Sequence, residues 1–294
     1  MTKSISLING EFKETISVYD RGLSYGDGLF ETMIWHKKSG GKPIFFVEYW
    51  KRHIMRLIKG CKILKIPPPN LDALEKSRKK ILKRSYIEGL NNGILKVLLT
   101  RGVGGRGYKF DRSMKPTMIF QVFPYKKPEK ENYLNGVNVK FCKTQISTND
   151  NIYGIKHLNR LDSVLARSEW KNNYFEGVFS DHKGNLVEGT MTNIFFIKDN
   201  ILYTPKLNSA GIDGVMKKVV KDKAGLFFKK FVSKKINIDE VEFYDGMFIT
   251  NSAIKILPVK KLGLVKFNIT REIKGMIDFY DYQNSKRVDN LELI

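Results

Sequence analysis

The chain is poor in residues that would staple it or anchor it. Cysteine occurs twice in 294 residues, as Cys61 and Cys142, with no CxxC spacing. That excludes a disulfide framework and a cysteine-built zinc site, and it fits a reducing cytoplasm. No stretch approaches the roughly 18 consecutive apolar residues that a membrane-spanning helix requires. The opening MTKSISLING holds no apolar core of signal-peptide length, so a cytoplasmic setting is expected. Internal repeats and low-complexity tracts are missing as well. Acidic side chains are the minority, with 30 Asp and Glu against 52 Lys and Arg and a formal net charge of +22. Such an imbalance raises a nucleic-acid-binding class. No zinc-finger, RNP-like or basic-zipper pattern accompanies it, and the lysines are scattered in pairs such as Lys79-Lys80 and Lys217-Lys218. They read as a solvated surface that favours anionic small molecules, with no nucleic acid, membrane or metal expected.

What remains is the composition of a folded protein, 42% hydrophobic and 12% aromatic, long enough for one or two domains. Asn9-Gly10 predicts a turn between extended segments at 3–12 and 14–19. FETMIWHKK predicts a strand, Gly40-Gly41 a turn, and YWKRHIMRLIKGCKIL a helix ending before the Pro67–Pro69 block. A basic helix over 71–89 follows, then the strands GILKVLLTRG and PTMIFQVFPY around a glycine-rich loop. These make an α+β half over residues 1–122. The proline-flanked polar stretch after it predicts a linker at 123–134, and residues 135–294 form a larger second half. Its expected elements include the strands VNVKFCKTQ, EGVFSD, NIFFIKDN and NILYTP, a helix over 214–229 and a closing helix over 270–282.

One stretch of the second half, GIKHLNRLDSVLAR, sets Lys156 on a short turn. A glycine and a β-branched residue precede it, and an apolar row of Leu158, Leu161 and Leu165 at helical spacing follows. A turn of that kind can aim an amine into a cleft. Three further features suit a lysine that bonds covalently to a cofactor aldehyde. Glu188, at a strand end in LVEGTMTNIFF, is a carboxylate able to hold a pyridine nitrogen protonated. SAGIDGVMKKVV places glycines before a helix whose first turn holds Val215 and Met216, so free amides and the helix dipole make a phosphate seat. Arg56 lies on an otherwise apolar helix face in KRHIMRL. Singly these are a surface carboxylate, a loop and a helix charge. Together they need one another.

The motifs SVYDRGLSYGDGLFET, HIMRL, GIKHLNRLDSVLAR, EGTMTNIFFIKDNILYTP and GIDGVMK, in this order across about residues 5–260, resemble those of the class IV, or fold type IV, pyridoxal-phosphate enzymes. That family comprises branched-chain and D-amino acid aminotransferases and aminodeoxychorismate lyases. The resemblance implies a mixed α/β two-domain fold: a small N-terminal α/β sandwich, a larger domain with a barrel-like sheet, and pyridoxal 5'-phosphate at the domain interface. It implies Lys156 as the cofactor-bonded, proton-shuttling lysine, Glu188 on the ring nitrogen, and Arg56, Val215, Met216 and Ser252 on the phosphate. Leu161 stands where branched-chain aminotransferases carry a tyrosine. The loop TRGVGGRGY, Thr32 in GLFET and the form GIKHLNRL resemble the lyase branch. That branch implies catalysis by Lys156 and Thr32, and substrate contacts from Arg106, Phe30 and Asn251. Arg101 and Arg106 both suit a dicarboxylate substrate. The product implied is 4-aminobenzoate, for folate biosynthesis, with D-amino acid or branched-chain transamination as the alternative. In this family the glycine-rich loop reaches the neighbouring subunit's site, which implies a homodimer.

Overall fold

The computed structural model describes residues 4–38 and 43–290, with side chains placed through residue 280. The turn expected at Gly40-Gly41 lies outside the described residues. The chain divides into two compact units, one of residues 1–126, 155–159 and 287–294, the other of residues 127–154 and 160–286.

The first unit is built on a five-stranded antiparallel sheet. Its elements are β1 (Ile5–Ile8), α1 (Arg21–Tyr25), β2 (Gly28–Lys37), β3 (Phe45–Val47), α2 (Trp50–Leu64), α3 (Leu71–Ile87), β4 (Asn92–Thr100) and β5 (Thr117–Phe123), with strand order β1-β5-β4-β2-β3. Asn9 and Gly10 do form a left-handed turn, at φ 50° and 83°. The segment after it makes only the Ile8–Glu11 bridge, and 14–19 forms no strand, because β1 takes its partner from β5 instead. The period-2 alternation of β4 is the organising signal. Leu95, Val97 and Leu99 are fully buried, while Ile94, Lys96 and Leu98 on the other face are half-buried. On β2 the residues facing the half-open side are Phe30 and Thr32, which register with Leu98 and Lys96. Helix α2 turns His53, Ile54, Arg56, Leu57 and Cys61 inward, and α3 exposes Lys76, Lys79, Lys80, Lys83 and Arg84.

The second unit holds α4 (Lys130–Asn135), β6 (Val137–Phe141), α5 (Leu161–Arg167), β7 (Glu176–Ser180), β8 (Leu186–Gly189), β9 (Asn193–Lys198), β10 (Ile201–Pro205), α6 (Val215–Lys223), β11 (Lys230–Lys234), β12 (Gly246–Asn251), β13 (Lys255–Leu262), β14 (Val265–Lys266) and α7 (Arg271–Asn290). Its nine-stranded mixed sheet runs β11-β10-β9-β12-β13-β6-β7-β8, with β14 on β13, and curls into a half-barrel. Val139, Val178, Ile194, Phe196, Ile249 and Leu257 fill its core, and Phe195 stacks on Phe248 at 4.8 Å. Helix α6 stops at Lys223, short of the expected 229, and passes into a single 3-10 turn over Ala224–Leu226 containing Gly225. The apolar row after Lys156 is not a buried face. Leu161, Val164 and Leu165 are 75%, 62% and 58% exposed on α5, which buries only Ala166.

Candidate active site

Lys156 is held against the first unit's sheet by its backbone. Beyond the three residues that β3 pairs with, the edge of β2 is open, and residues 156–158 run along it. Phe30 N–H donates to Lys156 O at 2.9 Å, Leu158 N–H donates to Gly28 O at 3.0 Å, and Leu29 bridges His157. The half-buried Lys156 amine lies 4.2 Å from the centroid of the Phe30 ring. Thr32 stands two residues along β2 on the same face as Phe30.

The opposite face of β2 carries Glu31, 1% exposed beneath α2. Arg56 donates from Nε to Oε1 at 2.8 Å and from Nη2 to Oε2 at 2.5 Å, a side-on pairing with both carboxylate oxygens. His53 Nδ1 closes on Oε2 at 2.6 Å. Burial pushes the Glu31 carboxyl up, but the Arg56 charge and hydrogen bonds, joined by His53, outweigh it and hold it at about 2. Glu31 thereby fixes the guanidinium of Arg56.

The glycine-rich loop separates its two arginines. Arg101 is committed to the fold: Nε and Nη2 grip Asp27 at 2.7 and 3.0 Å, and Nη1 and Nη2 donate to Lys65 O and Leu64 O at 2.9 and 2.7 Å. It is 4% exposed. The expectation that it serves a substrate carboxylate overlooked Asp27. Arg106 is exposed at the loop tip. Arg21 anchors that tip by donating to Gly107 O at 2.9 Å, and the Tyr25 hydroxyl accepts from Gly107 N at 3.0 Å.

In the second unit Glu188 is the penultimate residue of β8, 5% exposed. Its Oε2 accepts from Ile212 N at 2.8 Å and from Asn193 Nδ2 at 3.3 Å. Asn193 Nδ2 also donates to Ile212 O at 2.9 Å, so one amide ties Glu188 to the loop that enters α6. That helix opens at Gly214 with no side-chain cap, and Val215 and Met216 are buried in its first turn. Their N–H groups lack intrahelical acceptors by geometry. A Cβ on Gly214 would stand 2.0 Å from Asn193 Oδ1, so only glycine allows that approach. Gly154 N–H donates to Gly211 O at 2.8 Å, which ties the segment before Lys156 to the same loop.

Glu176, on β7 and 0% exposed, organises the turn after Glu188. Oε1 accepts from Gly177 N at 2.9 Å, Thr190 N at 3.1 Å and Thr190 Oγ1 at 2.5 Å. Oε2 accepts from Met191 N at 3.1 Å and Thr192 Oγ1 at 2.9 Å. Burial raises its pKa and these donors pull against that rise. Asn251 Nδ2 then donates to Met191 O at 3.2 Å, and Asn251 Oδ1 accepts from Ala253 N and Ile254 N at 2.9 Å, shaping the turn that holds half-buried Ser252. Sequence reasoning singled out neither Glu176 nor Asn193. Glu176 is one of two carboxylates in EGVFSD, and Asn193 lies inside the motif EGTMTNIFFIKDNILYTP, where its position just before an apolar strand was the available signal.

The residues fit pyridoxal phosphate. A buried carboxylate lies one loop away from an uncapped helix start, as a ring with a nitrogen at one end and a phosphate at the other requires, and Lys156 offers an amine on a half-open face. The Amino-transferase class IV family profile matches residues 28–262, and the chain belongs to that family. A putative branched-chain-amino-acid aminotransferase of Methanocaldococcus jannaschii is 30% identical over 259 residues, 86% of this chain and 85% of the relative. An aminodeoxychorismate lyase of Vibrio harveyi is 26% identical over 280 residues, 92% of this chain and 98% of the relative. The crystal structure of 4-amino-4-deoxychorismate lyase from Pseudomonas aeruginosa matches with a TM-score of 0.82 at 30% identity, covering 97% of this chain and 99% of that one. The protein is a pyridoxal-phosphate-dependent enzyme of fold type IV, either a lyase or an aminotransferase.

Proposed function

We propose that this chain is an aminodeoxychorismate lyase, which converts 4-amino-4-deoxychorismate to 4-aminobenzoate and pyruvate in folate biosynthesis. The observation that carries the reading is Thr32: a hydroxyl on the half-open face of β2, two residues from the ring on which the Lys156 amine lies. The 30% identity to the Pseudomonas aeruginosa lyase structure, over 97% of this chain, supports it. Bound pyridoxal phosphate supplies an electron sink for charge developing at the substrate carbon that bears the amine. Lys156 Nζ takes the proton from C4 of the substrate. Glu188 holds the ring nitrogen protonated, while Arg56 and the Val215 and Met216 amides hold the phosphate, with the Ser252 hydroxyl beside them. As the C3–O bond breaks, Thr32 donates a hydrogen bond to the departing enolpyruvyl oxygen. Loss of the C4 proton and the C3 ether leaves an aromatic ring, and no oxidant or reductant is consumed. Phe30 and Asn251 flank the substrate, and Arg106 takes a carboxylate from an adjoining subunit of a homodimer.

Transamination of D-amino or branched-chain amino acids is the second reading, favoured by the 30% identity to the archaeal relative. Product analysis separates the two. The purified holoenzyme is given aminodeoxychorismate, and separately D- and L-amino acids with 2-oxoglutarate. Release of 4-aminobenzoate and pyruvate is expected. Inertness toward aminodeoxychorismate with ready turnover of D-alanine or an L-branched-chain amino acid would falsify the lyase reading and leave the cofactor assignment standing.

A further inference from the structure

Helix α3 covers the first unit's sheet unevenly. Val97, Phe120 and Leu7 lie level across β4, β5 and β1, and all three are fully buried. In the next layer of the same face Leu99 pairs with Met118, beside Asn9, and Met118 stays half-buried. Here the helix presents only Ala73 and Ser77, one turn apart and too short to fill the space. A cleft of about 590 Å³ is left between them and the sheet. Its floor, Leu99, points away from the face that Leu98 shares with Phe30, so the cleft lies across the sheet from the Lys156 amine.

Ser77 is 4% exposed, yet its hydroxyl has no partner among the described residues. Ser85, eight residues on along the same stripe, bonds back to Ile81 O at 2.9 Å, as a buried helical serine can. Ser77 makes no such bond to Ala73, and its side chain lines the cleft. A buried hydroxyl left unpaired is costly, which marks a place for a polar group brought from outside. The charge around it has one sign. Lys76 and Lys80 also line the cleft, and none of its lining side chains is acidic. Lys76 has no ion pair among the described residues, while Lys80 ties α3 to the Asn9-Gly10 turn by donating to Gly10 O at 2.7 Å.

We propose that this cleft binds a small apolar monocarboxylate. Its carboxylate accepts from the Ser77 hydroxyl and the Lys76 ammonium, and its hydrocarbon body rests on Leu99, Met118 and Pro116. The volume is that of a site for a small organic ligand. The site is independent of which reaction Lys156 serves.

The test titrates the holoenzyme calorimetrically with 2-naphthoate, and with 2-naphthamide as the uncharged counterpart, while the cofactor's visible absorbance is followed. Saturable binding of 2-naphthoate with that absorbance unchanged is expected. Ala73→Phe fills the cleft from an exposed position in the first turn of α3, and should weaken binding at least 10-fold. Ser77→Ala should weaken it about 10-fold, the low end for a hydrogen bond to a charged group. Lys76→Met should weaken 2-naphthoate about 3-fold, as an exposed charge allows, and leave 2-naphthamide unchanged. Failure of the wild type to bind 2-naphthoate overturns the proposal. So does binding that survives both Ala73→Phe and Ser77→Ala, or binding that shifts the cofactor's absorbance, since either puts the probe somewhere other than this cleft.

Discussion

Lys156 is positioned by its backbone, its carbonyl accepting from Phe30 N–H while Leu158 N–H, two residues on, donates to Gly28 O, and its side chain contributes an amine to a half-open face. Lys156→Ala should therefore abolish activity and the visible absorbance of the lysine-bound cofactor, with far-UV circular dichroism and melting temperature near wild type. More than trace turnover in that variant would remove Lys156 from the chemistry. Glu31 is the opposite case, a buried group whose value to the fold is electrostatic. Its carboxyl is held at about 2 in the folded chain, below the 4.3 or so of an exposed glutamate. A depressed carboxyl stabilises the fold above its unfolded pKa, and that stability drains away as pH falls from about 4.3 through 2. Glu31→Gln should flatten the pH dependence of denaturant-derived stability across this window. At neutral pH it should cost about 3–5 kcal/mol, because it leaves the Arg56 charge buried without its partner. A variant whose stability falls as steeply as wild type below pH 4 would show that Glu31 is not the titrating group.

At the scale of elements, the second unit's candidate residues hang on two polar hubs set into apolar strands. Glu176 gathers donors from Gly177, Thr190, Met191 and Thr192, and through Met191 O it reaches the Asn251 turn. Glu176→Gln is nearly isosteric but turns an NH2 toward groups that are themselves donors, and each buried donor left unpaired costs about 1–3 kcal/mol. Hydrogen exchange of the Thr190 and Met191 amides in the cofactor-free protein should quicken at least 10-fold, and unchanged protection would strip Glu176 of this role. Gly189 shows how tightly the hub is drawn, since a Cβ there would lie 2.2 Å from Thr192 Oγ1 and 2.9 Å from Glu176 Oε2. The other hub is Asn193. Gly214→Ala should displace its side chain without straining the backbone, because φ at 214 is −60°. The expected result is a cofactor dissociation constant raised about 10-fold or more, equivalent to ~1.4 kcal/mol, with the helix content of the apo-protein retained. Wild-type cofactor affinity in Gly214→Ala would mean that Asn193 does not bear on the phosphate end.

For the molecule as a whole, the exposed stripe on α5 is the feature a single chain leaves unexplained. Leu161, Val164 and Leu165 lie at the i, i+3, i+4 spacing of one helix face and are all more than half exposed. Apolar surface of this kind belongs under a partner, in keeping with the homodimer proposed above. Leu161→Asp combined with Val164→Asp should shift the mass measured by light scattering from two chains toward one, while the fold of each unit persists. An unaltered dimer mass would place the interface elsewhere. The excess of basic charge has a plainer account in α3, where Lys76, Lys79, Lys80, Lys83 and Arg84 are all exposed.

Periodicity and punctuation were enough to read β2, α2, α3, β4, β5, β9 and β10, because alternation, helical spacing or a short apolar run closed by turn residues survives whatever each packs against. The order of motifs was enough to identify the family, since shared chemistry demands a lysine, an acid and a helix start in a workable order. Spatial partners were not legible. Arg101 and Arg106 look alike in TRGVGGRGY, and only the fold brings Asp27, 74 positions away, onto the first of them. The row Leu158, Leu161, Leu165 has the spacing of a core helix, yet burial depends on what lies opposite, and among the described residues nothing covers Leu161 and Leu165. Lys96 reads as one polar letter in an apolar strand until its register with Thr32 and the shared ring of Phe30 set it beside Lys156. Local pattern encodes which face a residue takes, whereas its chemical neighbours come from distant parts of the chain, through contacts that only folding makes.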